Sequence, residues 1–396
     1  MIESDLNGRL PVTRPARPGT TEFDRLISEL ITKWELPGGA VGVVESGRLV
    51  LARGYGYADV ERTTPVTPEM RFRTASVSKP ITAVVVLRLV DHGRLSLDNR
   101  AVTFLDDIVS PADVADPRVQ DITIRMLLQH SGGWGGDGYD PMFNTVAIAR
   151  SAGVAPPAGP KTIIRHMFAQ ELDFPPGTKH VYSNFGYCIL GRIIERVTGE
   201  SYESAVHSVV LDEMGINGIH VGHSSPDKRA LGEVAYESNS DTASVFATDR
   251  TVPFADGGFY LEGMDAHGGW VASVVDLLRF VTHVDGRGST ESVLSPEARR
   301  AMVGRPTLDQ WADSDYYYAL GWNVRPEPDN WWHAGSLPGT SSILVRAGAE
   351  GRAWVALFNG RPAEYDTFHR ELDRLLWEAT RSVEAYPAFD FFEEFD

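Results

Sequence analysis

Cysteine is almost absent from this chain. A single Cys188 in 396 residues rules out an internal disulfide and any metal site built from several thiolates. Long apolar runs are missing as well. The longest, from Ile81 to Leu87, falls far short of the roughly 20 residues that a membrane-crossing helix needs. Basic residues are the minority, 37 Lys and Arg against 54 Asp and Glu, for a net charge of −17. Nucleic acid and anionic membrane surfaces are therefore not expected partners, since both call for a basic face.

Other absences narrow the chemistry. The 11 histidines include no His-Glu-x-x-His or comparable pair, so no catalytic metal is expected. The Gly-rich stretch 132–138 lacks the lysine of a phosphate loop, and no dinucleotide fingerprint lies between a strand and a helix. No cofactor is expected. Gly222-His223-Ser224-Ser225-Pro226 ends in proline where a nucleophile elbow requires glycine, which removes the α/β-hydrolase reading. The N-terminal residues hold no apolar core of a secretory signal, so a cytoplasmic location is expected. The sequence carries no sign of an oligomeric state.

What is present reads as an ordinary globular protein, 42% hydrophobic and 23% charged. Residues 1–20 are polar and rich in Pro, Arg and Thr, which predicts a loose arm. Beyond Thr20 or Thr21 as cap, Phe23, Leu26, Ile27, Leu30, Ile31 and Trp34 recur at helical spacing. Two β-like runs, 40–45 and 49–58, joined through Ser46-Gly47, predict a hairpin. A helix opens at Ser76 and closes near His92-Gly93. Residues 96–265 read as helices and loops, broken by Gly- and Pro-rich stretches at 131–141 and 155–160. Strands return at 341–348 and 352–359, and a last helix covers 368–383. Strands at both ends with helices between them predict an α/β fold. Residues 21–95 and 266–382 would form a lobe with a central antiparallel sheet flanked by helices, and 96–265 an inserted, mainly helical lobe. The acidic, aromatic tail 383–396 is most simply a loose end able to dock on the body.

Three short patterns carry the chemistry. Ser76-Val77-Ser78-Lys79 sets a hydroxyl and an amine three apart at the head of an apolar helix, hence on one face. The helix start favours negative charge at the serine. Desolvation lowers a lysine pKa, which would let a neutral Lys79 act as base toward Ser76. Pro80 fits a first turn. Alone, Ser-x-x-Lys also occurs by chance in many proteins. Tyr182 and Asn184 stand two apart before a helix, placed to complete a proton relay and orient an amine, or else to pack and cap that helix. His333 and Gly335 alternate on an apparent edge strand, where the glycine would admit a close approach of substrate to backbone. The next amide, on Ser336, could join that of Ser76 as an oxyanion hole. The plainer alternative for His333 is a packed ring beside two tryptophans.

Ser-x-x-Lys, Tyr-x-Asn and His-x-Gly in this order resemble the active-site triplet of the serine β-lactamase and penicillin-binding-protein superfamily. The class C-type branch, with its esterases, D-aminopeptidases and DD-peptidases, is the most similar. The stretches 72–83, 123–133, 174–199, 212–216, 268–280 and 318–324 also look like family blocks in family order, and the likeness runs from about residue 22 to 380. The resemblance implies an acyl-enzyme: Ser76 as nucleophile, Lys79 and Tyr182 as the general-base pair, Asn184 orienting. His333 and Gly335 hold the place that β-lactamases usually give to Lys-Thr-Gly. A histidine, largely neutral near pH 7, weakens the antibiotic-destroying reading. The expectation is therefore a carboxylesterase on small acyl esters. D-amino-acid peptide or amide cleavage, β-lactam hydrolysis, acyl transfer and a catalytically silent binding module are the alternatives. The Gly-rich loop is expected to be either mobile near the pocket or a surface turn whose tryptophan covers the helical lobe. Trp134 within it, with Tyr318, Trp331 and Trp332, are candidates for the substrate rim, although strand alternation sends half of the aromatic cluster to the core. Trp322 is expected to be structural.

Overall fold

Both ends of the chain supply strands to one sheet. The computed structural model describes residues 2–3, 10–13, 19–287 and 290–395. Strands β1 (Ile2–Glu3) and β2 (Val12–Thr13) precede the hairpin of β3 (Gly38–Glu45) and β4 (Arg48–Gly56). Next come β5 (Phe72–Arg73), β6 (His220–Val221), β7 (Asp241–Ala243), β8 (Thr251–Pro253) and β9 (Trp270–Ala272). The C-terminal part adds β10 (Tyr317–Tyr318), β11 (Asn323–Arg325), β12 (Asn330–Leu337), β13 (Thr340–Ala347) and β14 (Arg352–Phe358). Nine of these form an antiparallel sheet in the order β1-β2-β4-β3-β14-β13-β12-β11-β10. The N-terminal and C-terminal strands meet where β3 pairs with β14, Val43 opposite Trp354.

Period-2 alternation sorts the sheet's side chains onto two cores. Val41, Val43, Ile343, Val345, Trp354 and Phe358 face the helices Thr21–Lys33 and Tyr365–Ser382. Ala40, Val44, Leu344, Val355 and Leu357 face the other way, toward helix Val274–Asp285 and the helical part of the chain. Helix Ser78–Asp91 lies inside this second core and is buried at every position from Ser78 to Leu87. A helix apolar on all sides belongs in such a place, and it carries Lys79 in with it.

Residues 96–265 hold the helices Ile124–Leu128, Thr145–Ser151, Pro160–Phe168, Asn184–Thr198 and Tyr202–Val206, and in addition strand β6 and the ribbon β7–β8. β5, β9 and β6 make a small sheet of their own. Of the segment expected to be a loose arm, Ile2–Glu3 and Val12–Thr13 pair at the sheet edge, with Val12 opposite Tyr55. Residues 1, 4–9 and 14–18 lie outside the described residues. The tail docks: Phe391 is buried, Asp390 Oδ1 accepts the Leu49 N–H at 3.0 Å, and Arg279 lies 5.1 Å over the Phe392 ring. Among the described residues no helix is long and apolar enough to cross a membrane.

Candidate active site

The turn that presents Ser76 begins with a residue in an unusual conformation. Ala75 has φ +48°, a left-handed value that costs a residue with a Cβ roughly 1–3 kcal/mol and persists only where the surroundings impose it. Those surroundings are explicit. The Thr74 N–H and hydroxyl both reach the Trp270 carbonyl, at 2.8 and 3.0 Å. Thr74 Oγ1 also pairs with Ser78 Oγ at 2.9 Å, and the Thr74 carbonyl accepts from Ser342 Oγ at 2.7 Å. Ser76 then sits in the 3-10 turn Ala75–Val77 that opens helix Ser78–Asp91.

Lys79 is wholly buried, and its Nζ has three neighbours: Ser76 Oγ at 3.0 Å, Asn184 Oδ1 at 2.7 Å and the His267 carbonyl at 2.9 Å. Burial drives its pKa well below the ordinary lysine value, and the Asp140 charge opposes that only in part. In its neutral form the amine has two hydrogens and one lone pair: Asn184 and His267 would take the two hydrogens and leave the lone pair toward Ser76 Oγ.

Asn184 opens helix Asn184–Thr198 while Ser183, its N-cap, accepts the Gly186 N–H. The cap role is thus taken by the neighbour, and the Asn184 side chain is free to bridge Lys79 and Asp140. Its Nδ2 donates to Asp140 Oδ2 at 2.7 Å. Tyr182 is 42% exposed, so solvent and substrate can reach it. Its phenol is in hydrogen-bond contact with Ser76 and its ring lies 4.7 Å from Lys79 Nζ. Burial of the hydroxyl end raises its pKa, outweighing the hydrogen bond with Ser76, so Tyr182 is a neutral phenol at physiological pH.

The site is also bounded by β12. Beyond Trp332 its outer edge has no strand partner among the described residues, because β11 pairs only with Asn330, Trp331 and Trp332. The Ser76 turn packs there instead. A Cβ on Gly335 would clash first with Ser342 Oγ and would lie 2.5 Å from the Thr74 carbonyl oxygen and 3.0 Å from the Ala75 Cβ, so what requires glycine here is the protein's own packing. His333, 3% exposed, donates from Nδ1 to the Ala334 carbonyl at 2.8 Å and pairs through Nε2 with the Tyr318 hydroxyl at 3.1 Å. Burial, with Lys79 nearby, pulls its pKa down to about 3. Ser76, Lys79, Tyr182, Asn184, His333 and Gly335 therefore converge on one place. The sequence model of the Beta-lactamase family matches residues 23–376. The chain belongs to the beta-lactamase family.

Within that family of serine hydrolases the likeness is broad and the identity low. "Protein flp" of Staphylococcus aureus (strain N315) is 22% identical over 351 residues, covering 88% of this chain and 64% of that protein. The chain thus spans 64% of the length of this curated relative. Penicillin-binding protein 4 of Amycolatopsis lactamdurans is 28% identical over 377 residues, 91% of each chain. Among solved structures, the D-amino acid amidase of Ochrobactrum anthropi SV3 superposes with a TM-score of 0.70 at 21% identity, covering 93% of this chain and 100% of that one.

The expected rim is largely displaced. Trp134 is 4% exposed and packs on Phe168 and Phe185, with ring centroids 5.8 and 4.9 Å away, so it belongs to the helical core. Its loop is also tied down: the Gly135 and Gly136 amides donate to Asp173 Oδ2 at 2.7 and 2.9 Å. Trp331 is buried edge-on against Trp322, 4.8 Å between centroids. Trp332 points to the opposite face of the sheet and packs on the other core. Tyr318 does reach the site, as a buried support of His333. Sequence reasoning missed Asp140, which lies in a loop 44 residues from its partner Asn184. Its only sequence signal was an Asp-Pro step, an N-cap pattern for the 3-10 turn Pro141–Phe143. Among the described residues no three His, Cys, Asp or Glu side chains are grouped to hold a metal ion.

Proposed function

We propose that the protein hydrolyses small carboxylic esters through an acyl-enzyme on Ser76. The observation that carries this is the triple coordination of Lys79 Nζ by Ser76, Asn184 and the His267 carbonyl. In this reading the Lys79 lone pair takes the Ser76 proton as Oγ attacks the ester carbonyl. Tyr182, beside the same Oγ, gives its own phenolic proton to the leaving alkoxide, and the Lys79 ammonium then returns a proton to the phenolate, which restores both groups. The amides of Ser76 and Ser336 hold the oxyanion. Water, activated by the same pair, then attacks the acyl-enzyme carbonyl and releases the acid. Esters are favoured over β-lactams and peptide carboxylates because His333 remains an uncharged ring where a cation would grip a carboxylate.

A second reading rests on Asp140. Among the described residues its carboxylate has no cationic nitrogen within ion-pair distance, and it accepts from Asn184 Nδ2 at 2.7 Å. Such a charge would welcome a substrate whose acyl part bears an ammonium, as in amino acid amides, and one structural neighbour is a D-amino acid amidase. Intact-protein mass spectrometry with p-nitrophenyl acetate, p-nitrophenyl butyrate, D-phenylalanine amide and a penicillin tests both. A transient acyl adduct on Ser76 from the nitrophenyl esters, with fast turnover, is expected. Turnover of the amide above that of the esters moves the assignment to an amidase. A persisting penicilloyl adduct moves it to a peptidase-like enzyme, and an adduct that clears only with added amine to acyl transfer. No adduct from any of the four overturns the enzymatic reading.

A further inference from the structure

His130 brackets Tyr182 from three sides. Its carbonyl accepts the Val181 N–H at 2.8 Å, its Nδ1 accepts the Ser183 N–H at 3.2 Å, and its ring lies 4.3 Å from the Tyr182 ring. The amides on either side of Tyr182 are thus both held by one residue. His130 itself is fixed. It is 2% exposed, it has φ +56°, and its ring is enclosed by Tyr318 at 4.5 Å, Tyr187 at 5.1 Å and His180 at 5.6 Å. The next links in the same zipper are His180 Nδ1 with the Gln129 carbonyl at 3.0 Å and the Gly177 N–H with the Ser131 carbonyl at 2.8 Å. A segment that precedes a helix would otherwise be free to pivot about Ser183.

We propose that His130 is a positioning residue that holds the Tyr182 hydroxyl on Ser76 by clamping the backbone on both sides of Tyr182. The inference rests on the acyl-enzyme reading, because it matters only if the Tyr182 hydroxyl takes part in the reaction. The clamp needs an acceptor at Nδ1, so the ring is the neutral tautomer with its hydrogen on Nε2. A second hydrogen, on Nδ1, would set two donors against each other. Burial, reinforced by His180, Lys79 and His333, holds the ring in its neutral form.

A double-mutant cycle tests this, with kcat and KM on p-nitrophenyl acetate for the full chain. His130→Gly keeps the left-handed backbone and the carbonyl but removes the Nδ1 acceptor and the ring. His130→Asn also tolerates that φ and returns an acceptor. A misplacement of about 1 Å costs about a hundredfold, so His130→Gly is expected to lower kcat by about ten- to a hundredfold with little change in KM. His130→Asn is expected to recover most of that. In a Tyr182→Phe background the same His130→Gly change is expected to cost less than about threefold, since the group being positioned is gone. Equal losses in the two backgrounds, or no difference between the Gly and Asn variants, overturn the proposal. Thermal melts of each variant confirm which proteins are folded, and if His130→Gly is not, the Asn variant carries the cycle alone: its loss must shrink in the Phe background. A Tyr182→Phe enzyme as active as wild type would instead overturn the role given to Tyr182 under the proposed function.

Discussion

Gly335 and Thr74 touch through their backbones, because a Cβ on the glycine would sit 2.5 Å from the Thr74 carbonyl oxygen. The sheet and the turn that carries Ser76 are thus one rigid unit at this point. Gly335→Ala must push them apart, an overpacking that costs about 1–3 kcal/mol. We expect a lower melting temperature and at least a tenfold drop in kcat/KM on p-nitrophenyl acetate. Wild-type values of both would mean that the turn does not rest on β12.

The pair at the head of the buried helix predicts a sharper loss. Ser76→Ala should leave no acyl adduct by mass spectrometry, and turnover within tenfold of wild type would refute Ser76 as nucleophile. Tyr182→Phe should slow acylation by ~10²–10⁴, the usual range for proton-transfer help. A small effect would leave Lys79 to move the proton unaided.

Asp140 sets the charge that Lys79 feels. Its negative field favours the protonated amine, against the larger effect of burial. Asp140→Asn keeps an acceptor for Asn184 Nδ2 but removes the field, so the Lys79 pKa should fall further. The base stays neutral to lower pH, and the acid limb of kcat/KM for a neutral ester should move down. The reverse shift would contradict the arrangement.

Acid should unfold this protein through its buried imidazoles. His333 titrates near 3 in the fold, against an ordinary 6.5, so the unfolded chain binds the extra proton between those values. Stability is fully present above about pH 6.5 and is lost as pH falls toward about 3, by about 1.4 kcal/mol per pH unit for such a group. His130 and His267 are shifted in the same direction. Urea melts from pH 7 to 4 should show His333→Gln with a shallower decline than wild type, and parallel declines would exclude this ring as a source.

Much of the site was legible because its logic is local. Ser76 and Lys79 are three apart on one helix turn, and Tyr182 and Asn184 flank a single helix cap. The partners that tune Lys79 were not legible. The His267 carbonyl lies 188 positions along the chain, and no pattern in a Gly-rich loop announces that Asp140 will fold back onto Asn184. The aromatic residues before His333 failed for a different reason. Alternation says that Trp331 and Trp332 face opposite ways, but only the pairing of Trp332 with Val345 fixes that neither lines the cleft. The hairpin and the last helix follow strong periodic signals, and the Ser76 helix follows an apolar run with a clear start and stop. The ribbon β7–β8, two three-residue strands in a polar stretch, is too short to leave one.

The docked tail guards an open strand. β4 is paired along one side by β3, but on its other side, among the described residues, β2 reaches only Gly54 and Tyr55. Asp390 occupies the Leu49 amide, and Arg48 holds the Ala388 carbonyl at 2.5 Å. A bare β edge is a template for another chain's backbone, and an acidic segment laid along it repels a second copy as well as blocking it. The docked tail thus bears on whether molecules of this protein stick to one another at high concentration.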